Sequence, residues 1–511
     1  MLCLISQFCG FCRVFVEFFA RSGTNHTIDL FSTIRAMKIE KYPAKTHALR
    51  VRQNLYALAP SYFSNPREAP VLLLASPRTV YWPFCDQTQP FRQNRNFFYL
   101  SGCDLPDSYL TYDTSSHAIV LYLPPVDADD VMWSGLPLSL NEAKAQFDVD
   151  DVRYSDKLGS EMASIFSGRT ILTVEPLTGA EHAKILGQWP NAVKSVAAAD
   201  THVLEALEEA RMIKDEYELG LMRQAASISN QAHLEVMSTM NLHTNEKHIH
   251  AEFVYHSMRA GSKNQSYDPI CCSGHSCSTL HYVKNDEDFA GRQLILIDAG
   301  AEWKNYASDV TRTFPINGEW TTEARAIYEL VLDMQTSCEK LVAPGTSWEG
   351  LHLLAHKILV KGFLKLGIFK GGSEEEILQS RVSCAFFPHG LGHMLGMDTH
   401  DTGGKANYQD PDPMYRYLRI RRNLESGMVV TVEPGIYFSP FLINPYIQGD
   451  DGLGLGGKFI DRYVLEKYWD VGGVRIEDDV LVTETGHENF TKVPKDPDEL
   501  SAIIKKALIV S

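Results

Sequence analysis

Apolar positions in the N-terminal part of the chain fall into short runs that lie between turn signals. Continuous apolar runs at residues 71–75, 97–100 and 118–123 have the length of buried β-strands. Helical periodicity returns at residues 140–147 and around residues 160–166. This alternation of strands and helices predicts an α/β unit of roughly 150 residues that ends before residue 200.

Charged amphipathic helices follow this unit. Within residues 204–214, apolar side chains recur at three- and four-residue spacing, and residues 216–240 predict a second helix. We therefore place a domain boundary near residue 200.

From residue 293 onward, the pattern predicts hairpin strands between helices. Helices are expected at residues 322–342 and 349–366, and strands at residues 427–438 and 473–485. This second region contains the candidate chemistry of the chain.

A long segment, residues 439–470, separates the last two strand regions and contains a glycine-rich stretch at residues 452–457. A phosphate-binding loop needs a preceding strand, a following helix and a Lys-Ser/Thr pair, and this stretch has none of them. We expect an insertion that is mobile or contacts a partner.

Composition narrows the function classes. The 511 residues include 48 basic and 64 acidic side chains, which gives a net charge of −16. An acidic surface disfavours a nucleic-acid partner, because binding to phosphates requires basic residues. We read the ten cysteines as reduced thiols, which is typical of a reducing compartment. We expect a cytoplasmic protein.

The first 36 residues form an unusual extension. Arg13 and Glu17 interrupt its apolar stretch, so it lacks the run of about 18 apolar residues expected of a membrane span. It also lacks the basic start and the small-residue cleavage site of a secretory signal. We expect a poorly ordered segment and no membrane contact; a mitochondrial presequence is the alternative.

Two acids lie in a predicted hairpin. Asp298 is set into the apolar strand 294–303, and Asp309 lies in the returning strand 307–314. Carboxylates on paired strands lie about 4.5–8 Å apart, and such like charges repel when they are buried. This hairpin alone leaves two readings open: a bound cation, or acids that are exposed or paired with basic residues.

Two further acids favour the cation. Glu433 ends the strand 428–432, and Glu477 shares a strand face with Arg475, because side chains alternate along a strand. One arginine does not balance four buried carboxylates, whereas two divalent cations do. We therefore expect a dinuclear metal site.

Three histidines within twelve residues supply a nitrogen ligand. His389, His393 and His400 lie in a glycine-rich stretch that disfavours a helix and allows a close approach to a metal ion and a substrate. Oxygen-rich coordination with one imidazole suits manganese better than structural zinc.

These motifs resemble those of a known family. Asp298 and Asp309, the His389-Gly-Leu-Gly-His393 motif, Glu433-Pro-Gly and Arg475-Ile-Glu477 are similar to the motifs of aminopeptidase P, prolidase and methionine aminopeptidase, and most closely to fungal Xaa-Pro aminopeptidases. Residues 91–102 resemble the N-terminal domain of aminopeptidase P and prolidase. The implied fold class is α/β (α+β), with a three-layer α/β domain ahead of a "pita-bread" catalytic domain.

The resemblance implies a role for each site residue. Asp298 would bind one metal ion, His393 and Glu433 the other, and Asp309 and Glu477 both. A metal-bridging hydroxide would attack the carbonyl before proline, with Glu433 as proton shuttle. Four further roles concern the substrate and the ligands: His400 would bind the oxyanion, His281 and His389 would line the proline pocket, Arg475 would contact substrate or hold a network around Asp401, and Tyr267 would orient a ligand carboxylate.

We predict a metallo-aminopeptidase that cleaves after the first residue of peptides with proline at the second position, acts as a homodimer and uses two Mn²⁺ ions. Prolidase, restricted to Xaa-Pro dipeptides, is one alternative. A non-catalytic peptide- or protein-binding pita-bread module is another, and a creatinase-like amidinohydrolase a third. The expected domains are an extension at residues 1–36, the N-terminal domain at 37–200, the catalytic domain at 201–498 and a tail at 499–511.

Overall fold

The computed structural model describes residues 41–177, 182, 184–185, 198–448 and 456–509. The predicted N-terminal extension and most of the glycine-rich stretch at residues 452–457 lie outside these residues.

The N-terminal domain contains a mixed five-stranded sheet in the order β4-β3-β2-β1-β5. Its strands are β1 (Val71–Ala75), β2 (Tyr109–Asp113), β3 (Ile119–Leu123), β4 (Asp151–Tyr154) and β5 (Ile171–Leu172). Its helices are α1 (Ala44–Leu58), α2 (Arg95–Ser101), α3 (Ala128–Ser134), α4 (Leu140–Gln146) and α5 (Leu158–Ile165).

Both faces of this sheet are covered, as the apolar run in β1 predicts. Leu72 and Leu74 point into a core that includes Val51 of α1. The alternate residues Val71 and Leu73 face a second core on the α5 side. Side chains of a strand alternate between faces, so one apolar run serves both layers. The predicted three-layer arrangement is confirmed.

One predicted strand is wrong. Residues 97–100 belong to helix α2, which begins where the side chain of Asn94 accepts a hydrogen bond from the Phe97 N–H. The helix ends at Gly102, whose φ of 64° lies in the left-handed region. Because α2 is buried on all sides, its apolar run resembles that of a buried strand.

A linking helix, α6 (Thr201–Met212), packs against α1 of the N-terminal domain. The side chain of Asn54 donates to the carbonyl oxygen of Ala206, and Tyr99 Oη donates to that of Ala210. The domain boundary near residue 200 stays a prediction, and the helix after it is packed on the domain that precedes it.

The C-terminal domain combines helices with several short sheets. Its helices before the insertion are α7 (Glu216–Ser238), α8 (Glu246–Arg259), α9 (Thr322–Glu339), α10 (Trp348–Leu366) and α11 (Glu374–Gln379). Its strands up to the histidine motif are β6 (Asn264–Gln265), β7 (Ile270–Ser273), β8 (Leu294–Asp298), β9 (Ala301–Trp303), β10 (Tyr306–Ala307) and β11 (Thr311–Pro315). The later strands are β12 (Val429–Val432), β13 (Gly435–Tyr437), β14 (Gly473–Arg475), β15 (Asp478–Val482) and β16 (His487–Asn489).

These strands bring the predicted ligands together. The sheets have the orders β10-β9-β6, β11-β8-β7 and β12-β15-β16, and β13 pairs with β14. Bridges between Thr311 and Glu477, and between Met394 and Val430, link separate sheets. Helices α7 and α8 pack on β9 and β7, and α9 packs on β12, β13 and β14. The acids therefore face one another inside a layer of helices.

The described parts of the insertion and of the C-terminal segment contain helices. The insertion contains α12 (Pro440–Gln448), α13 (Gly456–Phe459) and α14 (Arg462–Leu465). Most of the residues expected to form a tail, 499–511, lie in helix α15 (Pro497–Ile509), which buries Leu500 and Ile504 in the core. None of the helices in the described part of the chain has the length and apolar character needed to cross a bilayer.

Candidate metal centre

The predicted hairpin places Asp298 and Asp309 side by side. Asp298 ends β8 and pairs with Thr311, two residues beyond Asp309. The intervening turn uses left-handed backbone at Lys304 and Asn305, with φ of 49° and 68°, which is typical of tight hairpins. The Tyr267 hydroxyl lies 2.5 Å from Asp298 Oδ1 and also contacts Asp309 Oδ1. One phenol therefore holds both carboxylates.

The two glutamates join this pair from other sheets. Glu433 follows β12, and Glu477 lies between β14 and β15. The backbone N–H of Glu477 donates to the Thr311 carbonyl oxygen at 3.1 Å. The Thr311 hydroxyl donates to Glu477 Oε2 at 2.6 Å. Thr311 therefore fixes Glu477 against the strand that contains Asp309.

His393 is held with one nitrogen directed at the acids. Its Nδ1 lies 3.0 Å from the Met394 carbonyl oxygen, which can only accept, so Nδ1 has the proton. Nε2 then has a lone pair, and it faces Asp309 Oδ2 and Glu433 Oε1, each at 3.4 Å. Such a contact between electron-rich atoms is favourable only if a proton or a cation lies between them.

Backbone packing explains the glycine beside this histidine. His393 pairs with Thr431 of β12: its N–H donates to the threonine hydroxyl, and its carbonyl oxygen accepts from the Thr431 N–H. A Cβ atom at Gly392 would lie 2.0 Å from the Thr431 carbonyl oxygen. Glycine is therefore required for the approach that positions His393.

The acids raise one another's pKa. Burial, and then the charge of Asp298, hold the pKa of Asp309 well above its usual range. Burial and the charge of Asp309 do the same for Glu477. Burial raises the pKa of Glu433 to about 8, although Arg475 opposes the shift. Carboxylates packed in this way are stabilised as anions by bound cations.

Arg475 balances only one of these acids directly. Its Nη2 lies 2.6 Å from Asp298 Oδ2, and its other nitrogens donate to Tyr437 Oη and Thr311 Oγ1. The structure does not connect it with Asp401, which is held by other basic residues. Of the two roles expected for Arg475, the network around Asp401 is therefore wrong.

A hydrogen-bond chain fixes His389. Its Nδ1 donates to the Gly390 carbonyl oxygen at 2.8 Å, so its Nε2 accepts from the Tyr437 hydroxyl, also at 2.8 Å. Burial, and then Arg475, lower the pKa of His389 to about 3. His389 is therefore neutral and has a fixed orientation.

The rings of His400 and His281 lie close to the ring of His393. The rings of His393 and His400 meet edge to face, with centroids 4.4 Å apart, and the ring of His281 lies 6.2 Å from that of His400. Burial, and then the neighbouring His393, lower the pKa of His400 to about 3. Among the histidines predicted for the site, His393 is the one whose ring nitrogen meets the carboxylates most closely.

Two cavities meet at these residues. A cavity of about 340 Å³ is lined by Asp298, Asp309, Glu433, Glu477, all four predicted site histidines and Arg475. A second cavity, of about 480 Å³, shares Asp298, Asp309, His281 and His400 and extends along Tyr267 to Arg92 of the N-terminal domain. The acids therefore lie between two cavities, and each cavity has space for part of a substrate.

The donor set fits divalent cations. One ligand atom from each of Asp309, His393 and Glu477 lies within 4.8 Å of the others. Asp298 is joined to Asp309 through Tyr267, and Glu433 approaches His393. Carboxylate oxygens with one neutral imidazole are suitable ligands for hard or borderline divalent metals.

A second acidic group near His47 does not fit a metal ion. His47, Asp215 and Glu218 also bring ligand atoms within 4.8 Å of one another. The guanidinium of Arg50, however, lies 3.4 Å from Asp215 and 3.7 Å from Glu218. The acids also bond to each other's backbone N–H groups as a capping box at the start of α7. This group is an interdomain ion-pair cluster.

Sequence reasoning missed three residues of the site. Thr311 follows Asp309 at the two-residue spacing of a shared strand face, and Tyr437 follows Gly435 in the same way, so strand alternation was an available signal. Arg419 lines the first cavity, and only a run of arginines at residues 416–422 marks it. Such a run does not show which arginine enters the cavity.

Comparison with known proteins identifies the family. Residues 220–484 match metallopeptidase family M24, and residues 47–174 match the aminopeptidase P N-terminal domain. A Botryotinia fuckeliana protein named "Probable Xaa-Pro aminopeptidase pepP" is 46% identical over 467 residues, or 91% of this chain and 98% of that protein. An uncharacterised peptidase of Saccharomyces cerevisiae is 46% identical over 469 residues, or 92% of this chain and 85% of that protein.

Solved structures agree with the fold. Zinc-substituted aminopeptidase P of Escherichia coli, in complex with product, has a TM-score of 0.74 and 31% identity, and the match covers 91% of this chain and 98% of that chain. Aminopeptidase PepP of Pseudomonas aeruginosa has the same TM-score and identity, and the match covers 91% of this chain and 99% of that one. These likenesses span both domains and the whole acidic cluster, and the chain therefore belongs to metallopeptidase family M24, with the pita-bread catalytic domain and an aminopeptidase P N-terminal domain ahead of it.

Proposed function

We propose that the protein is a dinuclear metallo-aminopeptidase that releases the first residue of peptides with proline at the second position. The contact of the unprotonated His393 Nε2 with Asp309 and Glu433, inside a cluster of four acids that lines a cavity, carries this proposal. The relative from Botryotinia fuckeliana and the Escherichia coli structure, both named for this activity, support the choice of substrate.

The arrangement of the acids supports a division of ligands between two ions. Asp298 pairs with Arg475, whereas Glu433 approaches His393. Asp309 contacts both groups, through Tyr267 and His393, and Glu477 lies beside it. Asp309 and Glu477 would contribute ligands to both ions. When bound, two divalent ions, for which we propose Mn²⁺, would supply an activated water and Lewis acidity towards the substrate carbonyl.

The remaining residues act on the substrate. The Glu433 carboxylate, in the wall of the first cavity, accepts a proton from the attacking water and passes it to the proline nitrogen as the peptide bond breaks. His400 lies where both cavities meet and donates to the oxygen on which negative charge develops. His281 and His389 form the wall that contacts the proline ring, and the Arg475–Tyr437 chain holds His389.

A second candidate, an Xaa-Pro dipeptidase, is favoured by Arg419. This guanidinium lines the first cavity and donates to Tyr408 Oη at 3.1 Å. Within the described residues, no carboxylate forms an ion pair with it. A cation of this kind is suited to the free carboxylate of a dipeptide that ends at proline.

The assembly and location are further parts of the proposal. Met132, Trp133 and Leu136, in and after α3, are 73%, 80% and 83% exposed. A cluster of large apolar side chains on a surface favours contact with another protein, and we propose a homodimer. A cytoplasmic location is proposed from composition, with the mitochondrion as the alternative.

Peptides of increasing length test the function. Purified protein, reconstituted in turn with manganese, zinc and cobalt, is assayed on Ala-Pro, Ala-Pro-Ala and Ala-Pro-Ala-Ala, with Ala-Ala-Ala as control. The proposal predicts metal-dependent release of alanine from the proline peptides of three and four residues. Failure on every proline peptide with metal present contradicts the peptidase, and cleavage of Ala-Pro alone supports the dipeptidase.

Arg419→Met separates the two candidates further. The dipeptidase predicts a rise in KM for Ala-Pro of roughly tenfold or more, since one charge-assisted bond to a carboxylate is lost. The aminopeptidase predicts a much smaller change for longer peptides. Arg416→Met is the matched control, because Arg416 lies three residues away and outside the cavity lining.

A further inference from the structure

The short loop that contains His400 has a carboxylate on each side of the histidine. Asp398 precedes it by two residues, and Asp401 follows it directly. The loop between them makes few other polar contacts: the Thr399 hydroxyl donates to the Ser266 carbonyl oxygen, and the Asp401 N–H donates to that of Met394. The position of the His400 ring therefore depends on what holds the two carboxylates.

Asp401 is held by the linking helix and the residues after it. Its Oδ1 lies 2.6 Å from Arg211 Nη2, and its Oδ2 lies 3.2 Å from Lys214 Nζ. All three side chains are at most 6% exposed. A Cβ atom at Gly396 would lie 2.1 Å from Asp401 Oδ2, so glycine at this position leaves room for the carboxylate.

Asp398 is held by the same arginine and by the N-terminal domain. Its two oxygens lie 3.0 Å from Arg211 Nη2 and 3.3 Å from Arg95 Nε. Arg211 is itself fixed through Nη1, which donates to Asn96 Oδ1 at 2.9 Å. Arg95 and Asn96 belong to α2 of the N-terminal domain, and Arg211 belongs to α6. Two helices outside the sheets that contain the metal ligands therefore hold the His400 loop in place.

The charges show that this cluster is structural and does not bind a metal ion. Arg95, Arg211 and Lys214 surround the two carboxylates, and Arg95 also pairs with Glu302 at 2.6 Å. The metal centre has a different composition: among the residues that the structure describes, Asp298 alone of its four carboxylates forms an ion pair with an arginine, Arg475. Planar guanidinium groups that bridge several acceptors hold a loop in one geometry.

We propose that Arg211 and Arg95 are positioning residues that act through His400, so that the N-terminal domain and the linking helix complete the active site. The inference rests on the proposed peptidase function and adds to it two residues outside the catalytic motifs. Because the ion pairs flank His400 and contact none of the five metal ligands, their loss displaces the histidine and leaves the metal ions in place.

A double-mutant cycle tests this inference on the metal-loaded protein with Ala-Pro-Ala as substrate. Arg211→Met is expected to lower kcat by about 10- to 100-fold, because a misplaced catalytic group costs up to that factor. Metal content and KM stay within about threefold of wild type. In a His400→Ala background, the same change lowers kcat by less than about threefold. Arg211→Lys, which keeps the charge, restores part of the loss.

Two further variants guard against misfolding. Asp398 is 41% exposed, so Asp398→Asn is expected to fold and to lower kcat, again only when His400 is present. Arg223→Met is the matched control: Arg223 pairs with Glu488 away from the site, and its loss leaves kcat unchanged.

Three outcomes overturn the inference while wild type remains active: an equal loss of kcat with and without His400, loss of metal in Arg211→Met, or unchanged kcat in both Arg211→Met and Asp398→Asn. An inactive wild type instead overturns the proposed function and the inference with it.

Discussion

Asp309 Oδ2 lies 3.4 Å from the unprotonated Nε2 of His393, although the two residues come from different sheets. Placing the Asp309 carboxylate next to the lone pair of His393 Nε2 lowers the stability of the fold, and bound cations offset this loss. A variant that lacks one of these negative charges should be more stable than wild type without metal and should bind metal less well.

Asp309→Asn is therefore expected to raise the melting temperature of the metal-depleted protein and to reduce the gain in stability on adding Mn²⁺. For wild type, a metal concentration of 100 times Kd contributes about 3 kcal/mol. Differential scanning calorimetry with and without Mn²⁺ measures both effects. Equal stabilisation of variant and wild type by Mn²⁺ contradicts the role of Asp309.

Tyr267→Phe removes the hydroxyl that joins Asp298 and Asp309 but keeps the buried ring. Loss of a group that orients metal ligands lowers metal affinity or activity by about 10- to 100-fold. Titration of Mn²⁺ against activity measures the change. Unaltered Mn²⁺ dependence shows that the hydroxyl does not orient the ligands.

Gly392→Ala is expected to abolish activity, because its Cβ atom meets the Thr431 carbonyl oxygen and displaces His393. Gly220→Ala is the matched control: it lies in α7 with no atom near the added Cβ, and it should stabilise the fold by about 0.5–1 kcal/mol. Activity and urea unfolding are measured for both, and an active Gly392→Ala contradicts the account of this backbone contact.

His352, a buried histidine away from the metal centre, is expected to make the stability of the fold depend on pH. Burial lowers its pKa to about 4, below the ordinary value of about 6.5. The folded state thus binds fewer protons, so this contribution is complete above pH 6.5 and is lost as the pH falls towards 4. Between pH 7.5 and pH 5, the contribution of His352 to the free energy of unfolding therefore falls by about 2 kcal/mol.

His352→Gln, which keeps a donor for the Met414 carbonyl oxygen but does not titrate, tests this dependence. Urea unfolding of the metal-depleted protein at both pH values should show a smaller loss of stability in the variant. The same slope in both proteins shows that His352 is not the source.

Much of this architecture was predictable because it is local in the chain. Continuous apolar runs predicted β1 and β3, acids set into apolar strands predicted the Asp298–Asp309 hairpin, and the need to balance four acids predicted the metal centre. The resemblance to a family then supplied the roles of His281, His389 and His400, which spacing alone does not assign.

The errors come from non-local packing. Helix α2 is buried on all sides, so its residues have no amphipathic period to distinguish them from a strand. The ion pairs of Arg211 with Asp398 and Asp401 join residues nearly 190 positions apart, and no local pattern marks them. The helical C-terminus did have a local signal, because Leu500, Ile504 and Ala507 recur at four- and three-residue spacing.

The most direct test of the dinuclear centre is the number of Mn²⁺ ions bound per chain, measured by titration into metal-depleted wild type and Asp309→Asn while Xaa-Pro cleavage is followed. The account predicts two ions per wild-type chain, with activity rising as they bind, and a loss of both in the variant. Full cleavage with only trace metal, or the same binding and activity in Asp309→Asn, would contradict it.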